Sequence, residues 1–454
     1  MIQLRLSSLC SPLEARLIGA DTSFSSVSTD TRALTPGQLF VALRGERFDG
    51  HDYLQQAQQQ GVAAVLVDRE PPAGLSALVV DDTRAALGRL SALWREAGHA
   101  VIVAVTGSNG KTTVKEMLAA ILREKGEVLA TEGNLNNDIG LPLTLLRLQD
   151  EAYGVVEMGA NHPGEIAYLS RISHPDVVLL INAGRAHLAG FGDLEGVARA
   201  KGEIITGLTD DGWVVLNADD PWARLWRELA GGRKTLSFGI HHAADVSSPR
   251  DGLTLTWDKT GFHSRFPVRT SEGEIEISLG LAGEHNRLNA LGAIAAALTV
   301  GATLDDAKRG LARLRPVRGR LQPLAGESGI HLVDDSYNAN PDSVKAAIDV
   351  LATAPGRKIL VLGGLAEMGE GGEGFYRDIG NYARTSGVEL LFALGEASAV
   401  LPAFGEGGVQ SNSYEDLIAA LKQRLRPADR VLVKGSRSAA MERVIAALGG
   451  RRST

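Results

Sequence analysis

Cysteine is nearly absent from this 454-residue chain. Its single copy, Cys10, excludes an internal disulfide and any metal site built from several thiolates. Read locally, Cys10 is a small hydrophobe suited to a core. Basic charge is also short: 47 Lys and Arg stand against 54 Asp and Glu, a net of −7. No basic block interleaves with aromatics, so charge offers nothing to a nucleic acid. Long apolar runs are missing too, and none reaches the roughly 18 residues that a membrane-spanning helix needs. In the opening MIQLRLSSLC, Arg5 interrupts the apolar core of a signal peptide, so a cytoplasmic protein without membrane insertion is expected. Tandem repeats and low-complexity tracts are lacking. What is present is ordinary for a globular enzyme, with 44% hydrophobic and 22% charged residues. The length exceeds one core, and about three domains is the natural expectation.

Short Val/Ile/Leu runs recur between helical patterns at 101–106, 154–158, 176–182, 213–217, 331–336, 358–364, 390–395 and 430–436. Such runs are strands buried on both faces, as in parallel sheets. The fold class is therefore α/β, with ligands gathering beyond the C-terminal strand ends. Residues 245–280 change texture to apolar–polar alternation with turn signals, which predicts antiparallel hairpins at one side of a sheet. The segment LRPVRGRLQP, 314–323, carries two prolines, a glycine and three arginines and reads as a hinge. These features divide the chain into 1–84, 85–315 and 316–454.

The chemistry starts at VIVAVTGSNGKTT, Val101 to Thr113. A buried strand runs into a Gly-rich turn and then an amphipathic helix. Backbone amides of such a turn, with the positive end of the helix, hold phosphate oxygens. Gly107, Ser108, Asn109 and Gly110 would form the cradle. Lys111 would reach the terminal phosphates, and Thr112 and Thr113 follow at the helix start. The strict phosphate-loop motif is nevertheless absent, because Val105 stands where its first glycine belongs. Glu157 in VVEMGANHPGEI ends a buried strand, where an acid either meets solvent or ligates a metal. His187, in the small-residue loop of INAGRAHLAGFG, offers a second potential ligand at a neighbouring strand end. Lys201 in GVARAKGEI reads, on its own, as a surface lysine. His285 and Asn289 share one face near the start of the helix GEHNRLNALGAIAAALTVG, where they could cap it or read a purine edge. The stretch VDDSYNANPDSV places Asp334, Asp335, Tyr337, Asn338 and Asn340 at one strand end, more polar groups than a turn requires. VLVKGSRSAAMERV is another anion-ready corner of strand, glycine and basic residues.

Together these motifs resemble the Mur ligase family, the ATP-dependent amide-forming enzymes of peptidoglycan precursor synthesis. The family's phosphate loop has the shortened form T-G-x-x-G-K-T, which Thr106 to Thr112 match. The resemblance covers nearly the whole chain. It implies a central phosphate-loop ATPase domain flanked by an N-terminal α/β domain and a C-terminal Rossmann-like α/β domain. The N-terminal stretch VSTDTRALTPGQLFVALRGERFDGHDYL is similar to the uridine-diphosphate-binding domain of the later pathway enzymes. EMGANHPGEI, ARAKGEI, DDSYNANPDS and VKGSRSAAME are similar to the branch that takes D-alanyl-D-alanine as acceptor. In the branch adding the third amino acid, a histidine-bearing motif replaces DDSYNANP, and a DNPR-like motif absent here is expected.

The implied reaction is phosphorylation of the carboxylate of a UDP-linked muramoyl tripeptide by ATP, then attack by the amine of D-alanyl-D-alanine. Thr112 and Glu157 would ligate one Mg²⁺, and His187 and Lys201 would serve a second, with Lys201 carbamylated. Asn289 and His285 would contact adenine. Arg320 in the hinge and Asp335 would reach ATP from the third domain. Thr31, Arg32, Arg47 and Phe48 are the candidates for the uridine nucleotide, and Asn136 and Asn137 for the muramoyl moiety. Asn338, Lys434, Ser436 and Arg437 are those for the dipeptide or acyl phosphate. Lys111, His187, Lys201 and Arg320 would carry the chemistry, in a monomer. Competing readings are a diaminopimelate- or lysine-adding relative, a folylpolyglutamate synthase, which leaves 1–84 without a role, and an ATPase switch that ligates nothing.

Overall fold

The computed structural model describes residues 2–46, 48–185, 188–258, 261–366 and 372–450. Two candidate residues, Arg47 and His187, lie outside the described residues. Three larger sheets organise the chain. The first joins Arg16–Ile18, Ala77–Val79, Ala64–Val67, Leu39–Val41 and Val27–Ser28 in that order, parallel except for its first strand. The central sheet runs Val128–Ala130, Tyr153–Glu157, Val101–Thr106, Val177–Leu180, Trp213–Asn217, Lys234–Gly239 and Val246–Ser247, all parallel. Its far side carries antiparallel strands Thr254–Trp257, Phe262–Thr270 and Gly273–Leu279, as the alternating pattern predicts. The third sheet runs Gln322–Ala325, His331–Asp335, Arg430–Lys434, Lys358–Leu362, Leu390–Leu394 and Gly408–Ser411, with only its first strand antiparallel.

The apolar runs become strands because helices cover them on both faces, so every side chain is buried and alternation disappears. Val101–Thr106 lies at the centre of its sheet, and Ile102 to Thr106 are fully enclosed. One face packs on the helices Lys111–Leu122 and Glu284–Thr299. The latter is buried nearly all round, as its alanine-rich sequence requires. The other face shares a core with the first sheet through the helix Thr83–Ala97, whose Leu87, Leu90 and Trp94 belong to that common core. This helix spans the division expected at 84, and Thr83 donates its hydroxyl to Ala42 O at 2.9 Å. Trp94 donates its indole N–H to Leu148 O at 2.8 Å, fastening the same interface. Among the described residues no helix is long and apolar enough to cross a membrane.

Candidate active site

The turn after Val101–Thr106 is built by close approach. Gly110 holds φ +81°, and a Cβ there would fall 2.8 Å from the side-chain oxygen of Asn289. A Cβ on Gly107 would press on Ile181 at 3.0 Å. Only glycine lets the loop lie this low between two strand ends. Gly110 then opens the helix Lys111–Leu122, and no side chain caps that end. Its first-turn amides keep their donors directed outward, the arrangement that stabilises phosphate. Asn182 braces the loop from the next strand: its side-chain oxygen accepts Asn109 N–H at 2.9 Å and its amide donates to Asn109 O at 3.0 Å. The Lys111 ammonium donates to Gly107 O at 2.7 Å and so lies over the loop.

A cleft of about 330 Å³ opens above this turn. Ser108, Asn109, Gly110, Lys111, Thr112, Thr113 and Glu157 form its floor, and His285 and Asn289 one wall. The hinge contributes Arg315 and Arg320, and the third sheet Asp335, Asn338 and Lys434. Segments more than 200 positions apart thus converge on one space. Asn340 donates its side-chain amide to Asn109 Oδ1 at 2.8 Å, and Asp342 accepts Arg185 N–H at 3.0 Å. These bonds clasp the third domain to the phosphate loop.

Glu157 is almost fully enclosed yet borders the cleft. Thr112 donates its hydroxyl to Glu157 Oε2 at 3.0 Å, and Asn136 donates its amide to Oε1 at 2.8 Å. Asn137 spends its side-chain oxygen on Gly140 N–H at 2.8 Å, within a turn. Among the described residues no group of three or more His, Cys, Asp or Glu could cage an ion. Magnesium needs no such cage, because one or two carboxylates plus phosphate oxygens and water hold it. A hydroxyl and a carboxylate oxygen side by side at the phosphate loop fit that donor set.

Lys201 is no surface lysine. It is 1% exposed, on the helix Leu194–Gly202, with its ammonium 5.5 Å from the centre of the Phe191 ring. Burial, then repulsion from Lys111, pulls its pKa down to about 7, against a weaker pull from Glu203 and Glu165. Sequence could not reveal this, because the covering residues come from elsewhere in the chain. His285, half-buried at the cleft, is pushed by desolvation down to about 4 and stays neutral near pH 7.

The hinge is stitched to the strand end of the third sheet. Leu321 sits at φ +46°, costly for leucine, and donates its N–H to Asp335 Oδ1 at 3.1 Å. Tyr337 donates its N–H to Gly319 O at 3.2 Å, and its ring faces Arg320 at 4.3 Å. Arg437 lies 5.9 Å from the same ring and is held by Glu442 at 3.0 Å. Asp335 and Lys434, cross-strand partners, form a buried ion pair, and Lys434 also donates to Asn338 O at 3.0 Å. Burial depresses the Lys434 pKa despite Asp335. Ser436, buried, pairs with Ser438 at 3.0 Å and does not line the cleft.

The remaining candidates are in the first domain. Thr31 is nearly buried, while Arg32 projects into solvent beside Asp30, to which it donates at 2.9 Å and 2.7 Å. Phe48 is 58% exposed, an apolar ring presented outward. The Asn109–Asn340 clasp and the bracing by Asn182 were not anticipated. The only local signal for Asn340 is its position as cap of the helix Pro341–Ala352.

Comparison with known proteins matches three stretches of the chain. Residues 105–297 match the Mur ligase middle domain, 319–437 the Mur ligase glutamate ligase domain, and 23–95 the Mur ligase family catalytic domain. UDP-N-acetylmuramoyl-tripeptide–D-alanyl-D-alanine ligase of Escherichia coli (strain K12) is 45% identical over 451 residues, 99% of each chain. The crystal structure of MurF from Acinetobacter baumannii superposes with a TM-score of 0.91 at 34% identity, over 99% of each chain. MurF ligase from Thermotoga maritima in complex with ADP gives 0.83 at 30% identity, over 93% of this chain and 96% of that one. With phosphate loop, cleft and full-length relatives in agreement, the chain belongs to the Mur ligase family.

Proposed function

We propose that this chain is an ATP-dependent, ADP-forming ligase that joins D-alanyl-D-alanine to the UDP-linked muramoyl tripeptide. The observation that carries the reading is the shared cleft, in which phosphate loop, hinge and third-domain strand end face one another. A phosphoryl donor and an acceptor held by different domains can meet only in such a place. The full-length relatives named for this reaction support the choice of acceptor.

The tripeptide carboxylate is a poor electrophile. Its oxygen takes the γ-phosphoryl group of ATP, giving an acyl phosphate and ADP. The dipeptide amine attacks the carbonyl carbon, the C–O bond to phosphate breaks, and the amine loses a proton as the amide forms. Lys111 and the loop amides stabilise charge on the transferring group. Arg320, oriented by Tyr337, supplies a second cation from the hinge. His285 and Asn289 offer neutral polar edges to adenine, while Asn338 and Lys434 offer the acceptor side of the cleft, with Ser436 and Arg437 behind it. Thr31, Arg32 and Phe48 present a hydrogen-bonding, cationic and stacking set for the uridine nucleotide, with Asn136 and Asn137 toward the muramoyl end. Magnesium held by Thr112 and Glu157 would neutralise phosphate charge, with a second ion near Lys201. Buried and close to neutrality, Lys201 can release its proton and take up carbon dioxide as a carbamate, an anionic oxygen donor. The described lining of the cleft comes from one chain, which fits a monomer, and both nucleotide substrates fit the cytoplasm.

The test is phosphate release with ATP, the UDP-linked tripeptide and D-alanyl-D-alanine, each omitted in turn. Release should require all three. Equal release with meso-diaminopimelate in place of the dipeptide, or without any acceptor, would overturn the reading.

A further inference from the structure

Lys115 is among the largest fully buried side chains, yet the reaction outlined above gives it no part. It sits on the phosphate-loop helix, four residues after Lys111 and 1% exposed. A methionine would fill the same volume without the cost of desolvating an ammonium. What the ammonium does is visible in its bonds. It donates to the main-chain oxygen of Thr131 and pairs with Glu116 at 2.8 Å. Glu116 lines the cleft, so the pair also neutralises a carboxylate beside the phosphate site.

Thr131 is the junction. It is buried at the end of the strand Val128–Ala130, and its N–H donates to Val155 O at 3.0 Å. Its hydroxyl accepts the main-chain N–H of Glu157 at 3.0 Å. The loop that follows carries Asn136, whose amide reaches Glu157 Oε1 at 2.8 Å and whose carbonyl accepts Gly159 N–H at 2.9 Å. Glu157 is therefore gripped by its backbone and by one carboxylate oxygen from a single segment, 131–136. The other oxygen faces Thr112. Lys115 supplies a polar fastening of that segment to the phosphate-loop helix, beside the apolar packing of Val128 and Ala130.

We propose that Lys115 is a positioning residue that, through Thr131 and the loop to Asn136, orients Glu157 for a divalent cation at the phosphate loop. The proposal rests on the reading of Glu157 as a cation ligand. Removing an outer partner of a metal ligand typically weakens metal binding about 10- to 100-fold. Here the same range is expected for Lys115→Met.

The experiment measures Mn²⁺ binding to the full-length protein with saturating ADP, by electron paramagnetic resonance, beside ADP binding in EDTA by calorimetry. Lys115→Met should weaken Mn²⁺ at least tenfold and leave metal-free ADP affinity within about twofold. Lys115→Met/Glu116→Gln, which restores charge balance without the strut, should stay weak. Thr131→Val removes the hydroxyl that accepts Glu157 N–H and should act like Lys115→Met, while Thr131→Ser should match wild type. The valine–serine pair decides the matter if Lys115→Met does not fold. Unchanged Mn²⁺ affinity in folded Lys115→Met or in Thr131→Val overturns the proposal. So does an equal loss of ADP affinity in EDTA, which would mark a fault of the nucleotide pocket. Glu157→Gln is the separate control: if it retains full Mn²⁺ binding, the cation reading of Glu157 fails and this proposal falls with it.

Discussion

Replacing Lys201 by methionine should make the protein more stable and less active at once. The ammonium is 1% exposed and burial brings its pKa to about 7, whereas an exposed lysine titrates near 10.5. Carrying the proton inside therefore costs on the order of 5 kcal/mol. The cost is full below about pH 7, where folded and unfolded lysines are both protonated. It fades as pH rises from about 7 to 10.5, because there only the unfolded chain still binds the proton. Methionine carries none of this cost. It forfeits the desolvated contact between the ammonium and Phe191, worth about 2 kcal/mol. It orphans no carboxylate, because Glu203 accepts Gly164 N–H at 2.8 Å and Ala167 N–H at 3.2 Å. A net gain of about 3 kcal/mol at pH 7, shrinking toward pH 10, is expected. Urea unfolding in carbon-dioxide-depleted buffer would read it as a higher midpoint at unchanged slope. Phosphate release by the same variant should fall by about 10² or more, as when a charged group at the reacting phosphoryl is removed. Lys201→Ala should regain part of that activity in short carboxylic acids, which can occupy the vacated anion position. A methionine variant with wild-type turnover, or one less stable than wild type at pH 7, would refute the reasoning.

Lys111→Ala should lower phosphate release by about 10²-fold or more with the fold intact; near-wild-type release would remove the phosphate-loop assignment. Arg32→Ala and Phe48→Ala should weaken binding of the UDP-linked tripeptide in calorimetry and leave ATP binding unchanged. Point substitutions are the right probe there, because the first sheet shares a core with the central one through Thr83–Ala97 and its excision would expose that core. His285, desolvated beside the cleft, has its pKa lowered from 6.5 to about 4. Its folded form refuses the proton that the unfolded chain takes up, so it withdraws stability as pH falls from about 6.5 to 4. In nuclear magnetic resonance its ring should remain neutral at pH 5.5, and titration near 6.5 would contradict the burial argument. Asp342→Ala, which removes the acceptor for Arg185 N–H, should raise KM for the acceptor more than it lowers kcat; unchanged KM would mean the clasp plays no part in acceptor binding.

Much of this molecule is legible along the chain. The parallel strands announce themselves as unbroken Val/Ile/Leu runs, because burial on both faces removes alternation. The antiparallel strands at 254–279 announce themselves by restoring it. The phosphate loop is equally local: a strand, two glycines and Lys111 within one turn suffice to build it. The strand-end polar cluster at 334–340 is likewise visible in the local sequence.

What the sequence leaves open is which distant groups meet. Asn109 and Asn340 stand 231 positions apart, and nothing near either residue names the other. Asp335 and Lys434 both line the cleft, but only the register of two neighbouring strands shows that they pair with each other there. Lys115 and Lys201 look like ordinary lysines on helices, and only the packing of remote segments encloses them. Burial and partnership belong to the three-dimensional surroundings of a side chain, whereas propensity, periodicity and turn chemistry are carried by its neighbours along the chain. The sequence alone therefore determined the α/β elements and the phosphate loop, while the tertiary structure decided the cleft, the clasp and the burial that lowers the pKa of Lys201.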